Sequence, residues 1–206
     1  GELDPSTWRV EGHPGPGTAS DEEGRPALSM NGDGRFTDGI VSRQAFDLGH
    51  GATAEIDFHL PLTRADRQSV KLCLNRGRPL PEGSRAKMDW HWEEAVCFLW
   101  PAAELEDFDP GEAMLAAPGP PLGPIRVDGL IRDGEWNRLS LELQADGTLS
   151  TFLNGTRVHT LPWRLELEEK RWHVVVIGRA ADTQLLVRNA TLWGEARYGE
   201  VRRAAR

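Results

Sequence analysis

The stretch Asp89-Trp90-His91-Trp92-Glu93-Glu94 is the local sequence best equipped for recognition chemistry. In an extended chain alternate side chains share a face, so Trp90 and Trp92 project together and His91 and Glu93 lie opposite. Two adjacent indoles make a flat platform for stacking on sugar rings, and flanking carboxylates accept hydrogen bonds from hydroxyls. Trp90, Trp92, Asp89, His91 and Glu93 are therefore the expected ligand-binding residues. The competing reading packs both indoles into a core, since eight tryptophans in 206 residues must mostly be buried.

Metal and nucleophile chemistry find weaker support. Asn31-Gly32-Asp33-Gly34-Arg35-Phe36-Thr37-Asp38 begins like a calcium loop, but Arg35 stands where an oxygen ligand belongs and no suitably spaced glutamate follows. Glu104, Glu106, Asp107 and Asp109 form a second oxygen-rich segment without defined spacing. No cofactor is expected, with a structural calcium as the exception to watch. His13, His50, His59, His91, His159 and His173 are scattered, and the two cysteines form no C-x-x-C, so a zinc site is unsupported. No Gly-x-Ser-x-Gly elbow, phosphate loop or dinucleotide fingerprint is present. Cys73 and Cys97 lie in two expected strands; a disulfide and two buried free thiols both fit their spacing. Asn154-Gly155-Thr156 and Asn189-Ala190-Thr191 match the glycosylation triplet.

The elements that must position such residues read as strands. Ile56, Phe58 and Leu60 alternate with Glu55, Asp57 and His59 across 52–60. Val70, Leu72 and Leu74 do the same across 69–75, and Leu139, Leu141 and Leu143 across 136–144. Period two means one buried face per strand. Residues 171–179 are apolar on both faces, as in a central strand covered on both sides. Asp146-Gly147 and Asn154-Gly155 tolerate positive φ and close hairpins, so 137–144, 148–153 and 156–161 form a three-stranded antiparallel meander. A last long strand is expected over 184–193. The best helical candidate, 102–117, is interrupted by Pro110-Gly111, which allows at most a short turn. Residues 116–124 read as a surface connection.

Length and charge bound the rest. A chain of 206 residues makes one sizeable domain. It is 39% apolar and 27% charged, neither disordered nor membrane-like. No apolar run is long enough to cross a bilayer, so no membrane insertion by this domain is expected. A net charge of −8 argues against nucleic acid as a partner. About ten short strands with very little helix imply an all-β, two-sheet antiparallel sandwich of jelly-roll type. The expected organisation is an irregular lead-in over 1–26 anchored at Trp8, the sandwich over 27–196, and a basic tail or linker over 197–206 that holds four arginines.

The stretch from Gly134 to Leu143 (GEWNRLSLEL), the Asp146-Gly147 turn and Phe152-Leu153-Asn154-Gly155 resemble the laminin-G-like branch of the concanavalin A-like lectins and glucanases. There a G-x-W-x-x-L-x-L strand, a D-G turn and an L-N-G hairpin sit side by side. The resemblance spans most of 38–193 and implies the sandwich fold, though that scaffold carries binding modules and enzymes alike. Glucanases of this superfamily use a strand motif like E-x-D-x-E, whose alternate carboxylates flank a glycosidic bond. Glu55 and Asp57 match the first two positions, but His59 replaces the glutamate the motif needs, so a solvent-facing polar stripe is the expectation.

These readings lead to a non-catalytic binding module for carbohydrate or another extracellular ligand. It is expected to belong to a larger, secreted or extracytoplasmic protein, a membrane-anchored receptor or sensor among the options. The alternatives are a glycoside hydrolase with a divergent pair drawn from Glu55, Asp57, Glu93 and Glu94, and a structural protein–protein interaction domain.

Overall fold

The computed structural model describes residues 5–11, 17–30, 38–60, 68–76, 95–100, 109, 111–167, 171–180 and 185–194. These form β1 (Trp8–Glu11), β2 (Gly17–Ser20), β3 (Pro26–Met30), β4 (Asp38–Ser42), β5 (Phe46–Asp47), β6 (Ala52–His59), β7 (Gln68–Asn75) and β8 (Ala95–Trp100). They continue with β9 (Glu112–Ala116), β10 (Ile125–Arg126), β11 (Trp136–Leu143), β12 (Leu149–Leu153), β13 (Thr156–Thr160), β14 (Arg171–Ala180) and β15 (Leu185–Trp193). No helix occurs among the described residues. One sheet runs β1-β4-β14-β7-β8-β9-β10, with β5 also paired to β14; the other runs β13-β12-β11-β6-β15-β3-β2. The expected two-sheet antiparallel sandwich is the fold.

The alternation in the sequence decides which face turns inward. Ile56 and Phe58 of β6 and Leu139, Leu141 and Leu143 of β11 meet Leu72 and Leu74 of β7 and Val174 and Val176 of β14 in one buried core. Phe58 of one sheet lies 5.8 Å from Trp100 of the other, ring centre to ring centre. β14 is central, between β4 and β7, and apolar on both faces for that reason. Its outward Val175 and Ile177 join Val41, Cys73, Ala95 and Cys97 in a second buried cluster. The meander follows its turn residues: Gly147 and Gly155 take φ of +84° and +78°, and Asn154 takes +49°.

Three expectations need amendment. The segment 1–26 is not merely an irregular lead-in, because β1 pairs with β4 and β2 with β3, one in each sheet. The paired strands thus reach upstream of residue 27, although Trp8 does anchor on the core. Within 102–117, residues 112–116 are strand β9, held antiparallel against β8 with Ala113 and Leu115 inward; residues 102–108 lie outside the described ones. The strand number is fifteen among the described residues rather than about ten, since two-residue edge pairings leave no periodic signature. Finally, the 197–206 tail lies outside the described residues.

Cys73 and Cys97 stand directly opposite each other on β7 and β8 and form a disulfide. The bridge closes a segment with a sequence separation of 24, a loop worth about 3 kcal/mol of unfolded-state entropy. Reducing it, or replacing both cysteines by alanine, is expected to lower the free energy of unfolding by about that amount. Urea denaturation with and without reductant measures it.

Candidate functional site

The outer face of the β6-containing sheet gathers the polar residues that alternate with the core. β11 runs antiparallel to β6 with Trp136 opposite His59, Arg138 opposite Asp57 and Ser140 opposite Glu55. Each register pair becomes a contact. The guanidinium of Arg138 donates to both carboxylate oxygens of Asp57, at 2.7 and 3.1 Å. The Ser140 hydroxyl donates to Glu55 Oε1 at 3.0 Å. The rings of Trp136 and His59 lie 5.6 Å apart.

β15 closes the other side, and an irregularity in its pairing matters. Its register with β6 shifts between Arg188 and Thr191, where Asn189 adopts φ +52°. The shift lets Asn189 donate its amide to Asp57 Oδ2 at 2.7 Å. Further along, the Trp193 indole donates to Glu55 Oε2 at 3.1 Å. Arg188 lies with its guanidinium 3.8 Å from the ring centre of Trp136, pairs with Asp21 and reaches Asp57 at 4.0 Å.

The expected solvent-facing stripe is therefore a buried one. Glu55 and Asp57 keep only 5% and 7% of their surface exposed. Long donors from the flanking strands reach them and satisfy their charge, which is the condition for burying a carboxylate.

Asp21 sits in the tight turn between β2 and β3. It accepts backbone N–H bonds from Glu23 and Arg25 at 3.0 and 2.8 Å and the Arg25 guanidinium at 2.8 Å. Burial alone would raise its pKa, but the Arg25 N–H and guanidinium, with the Glu23 N–H, outweigh it and hold the carboxyl below 3.8. Since the folded-state pKa is the lower one, the stability Asp21 contributes is present above pH 3.8 and lost as pH falls through the folded value. Stability measured from pH 5 downward is expected to fall less steeply in Asp21→Asn than in the parent.

At this corner lies a cavity of about 240 Å³, walled by Asp21, Glu22, Arg25, His59, Glu135 and Trp136. It is smaller than the roughly 300–1,000 Å³ pockets that enclose drug-sized ligands. His59 Nε2 lies 3.1 Å from the carbonyl oxygen of Gly134 and must donate to it, which leaves Nδ1 of the neutral ring as an acceptor. The Trp136 indole N–H has no hydrogen-bond partner among the described residues.

Two side-chain amides, the buried Asn137 and the half-buried Asn154, hold the loop that carries Gly134 and Glu135. Asn137 accepts from the Arg132 N–H at 2.8 Å and donates to the carbonyls of Arg132 and Glu135 at 2.8 and 3.0 Å. Asn154 donates to Leu130 O at 2.7 Å and Asn137 Oδ1 at 2.8 Å, and accepts from the Arg138 N–H. The W-N and L-N-G motifs thus clamp the wall of the cavity. Both triplet asparagines, Asn154 and Asn189, spend their amide nitrogens on these internal bonds.

The expected ligand set Asp89, Trp90, His91, Trp92 and Glu93, and Glu94 beside it, lies outside the described residues. So do the calcium-like loop over 31–37 and Glu104, Glu106 and Asp107. Among the described residues no group of three or more His, Cys, Asp and Glu is placed to hold a metal ion. Sequence reasoning missed this corner. Trp136 was visible as a strand marker and His59 as a departure from a catalytic motif, while Asp21 and Arg25 fell in the supposed lead-in. A polar stripe ending beside a tryptophan was the available signal.

Two antiparallel sheets in this strand order, packed face to face, make a jelly-roll sandwich. Its structure is similar to the carbohydrate recognition domain of Emp46p in the potassium-bound form, with TM-score 0.63 and 13% identity over 92% of this chain and 89% of that one. It is similar to winged bean acidic lectin complexed with methyl-α-D-galactose, at TM-score 0.59 and 9% identity over 93% and 92%. It also resembles the carbohydrate binding module CBM66 from Bacillus subtilis, at TM-score 0.50 and 12% identity over 91% and 95%. At these identities the likeness is one of fold. No protein-family model matches the chain, and no curated protein matches it.

Proposed function

We propose that this chain is a non-catalytic carbohydrate-binding module whose ligand enters the cavity at Trp136 and His59. The observation that carries the reading is the cavity itself. It offers an aromatic edge, an unpartnered indole donor and a histidine acceptor at strand ends, and carboxylates on the adjoining turns, the mixture that recognises a ring bearing hydroxyls. Its size suits a single sugar unit. The fold likeness to domains described as carbohydrate-recognising supports the same conclusion.

Asp89, Trp90, His91, Trp92 and Glu93 remain in the proposal as a second contact surface, and the laminin-G-like motif remains its finer relationship. The Cys73–Cys97 disulfide supports an oxidising, extracytoplasmic location. We read Glu55 and Asp57 as structural, since each is buried and committed to donors from neighbouring strands rather than presented to a glycosidic bond.

Glycan arrays followed by calorimetry test the reading. Trp136→Ala is expected to weaken binding at least about thirtyfold, the effect of losing a central aromatic anchor. A Trp90→Ala/Trp92→Ala double variant tests the second surface. A folded Trp136→Ala protein that binds like the parent removes the cavity from the proposal, and no binding to any glycan removes the function.

A further inference from the structure

We infer that the Trp136–His59 cavity selects its sugar by charge, preferring an amino sugar over its hydroxyl analogue and rejecting uronates. This deepens the carbohydrate reading above and rests on it. The argument is an inventory of charge around the cavity. Among the described lining residues Arg25 is the one guanidinium, and it is held by Asp21 at 2.8 Å and Glu23 at 2.9 Å. Arg188, behind Trp136, is held between Asp21 and Asp57. Both of these guanidinium groups are thus committed to two carboxylates.

The acids are not matched in the same way. Glu22 is exposed and has no ion pair or hydrogen bond among the described residues. Glu135 has only a 3.9 Å contact with Arg132, in which both side chains are more than half exposed. Asp21 is shared by Arg25 and Arg188, so its charge is answered. The wall's four carboxylates, Asp21, Glu22, Glu23 and Glu135, still outnumber the three guanidinium groups of Arg25, Arg188 and Arg132 that reach them, which leaves a net negative field among the described residues. An ammonium on the sugar ring meets carboxylate acceptors there; a ligand carboxylate meets like charge.

A divalent cation would answer the same charge, but no carboxylate cluster here has the geometry of a metal site. An ammonium needs no such cage. It donates three hydrogen bonds and tolerates spread-out acceptors.

The test compares glucosamine, glucose and glucuronate, then the galacto and manno counterparts, by saturation-transfer NMR and calorimetry at a pH where the amine is protonated. In whichever series binds, the amino sugar is expected to bind on the order of three- to tenfold more tightly than the hydroxyl form, the yield of one or two exposed charge pairs. The uronate should bind more weakly than both. The amine-to-hydroxyl ratio should shrink toward one as salt rises, and should also shrink in Glu22→Gln/Glu135→Gln. Equal affinity for amine and hydroxyl forms, a preferred uronate, or a ratio indifferent to salt and to the double variant overturns the inference while leaving carbohydrate binding intact. Absence of binding in all three series overturns the carbohydrate reading and this inference together.

Discussion

Arg188→Ala is expected to destabilise the domain by about 3 kcal/mol, a large share of the roughly 5–15 kcal/mol that holds a domain folded. The side chain is only 15% exposed and serves three partners at once. It pairs with Asp21, approaches Asp57 and lies flat on Trp136. Removing it subtracts a positive charge from between two nearly buried carboxylates and uncovers one face of an indole. The cost sits at the low end of the range for breaking a buried pair, because Asp57 keeps Arg138 and Asn189 and Asp21 keeps Arg25.

Arg188→Lys separates the contributions. Lysine retains the charge but lacks the planar guanidinium that stacks on the ring, so it should recover only part of the loss. Urea denaturation of the parent, Arg188→Ala and Arg188→Lys measures all three. A loss in Arg188→Ala within about 0.5 kcal/mol, as for an ordinary surface residue, would mean that the charge row contributes nothing to folding.

Phe58→Ala is expected to cost about 4 kcal/mol, the larger effect on stability but with a simpler cause. Phe58 is fully buried near the C-terminal end of β6 and packs on Trp100 across the two sheets. Alanine leaves a cavity that rigid strands on both sides cannot close, so the transfer loss and the lost contacts add. Phe58→Leu keeps most of the volume and should cost less than half as much. The same denaturation series reads both, with the denaturant slope unchanged if the unfolded chain is unaffected. A loss below about 1 kcal/mol in Phe58→Ala would mean that the sheets do not share this core. Because Phe58 lies between Asp57 and His59 on one strand, the packed face also fixes the polar one.

These two residues differ in how far the sequence alone reveals them. Phe58 is legible from its neighbours, since alternation with Asp57 and His59 assigns it to the buried side before any partner is known. The meander of β11, β12 and β13 is equally legible, because Asp146-Gly147 and Asn154-Gly155 state where the chain reverses. So is β14, whose apolar run on both faces fits only a covered central strand. β1 and β2 were not. They are four residues each, separated by a Gly- and Pro-rich stretch, and held by backbone pairing to strands in different sheets, which period-two patterns do not register.

The corner at Trp136 depends on contacts between distant parts of the chain. Asp21, Asp57 and Arg188 come from a turn and two strands, and only antiparallel pairing with a displaced register on β15 brings them together. Side-chain alternation is a local property, carried by each residue and its neighbours, so the residue order suffices to sort inward from outward positions and to mark the turns. Which outward residues meet, and whether an acid among them faces water or an arginine, depends on strand order and register. Those are set by the packing of whole sheets, and only the folded chain decides them.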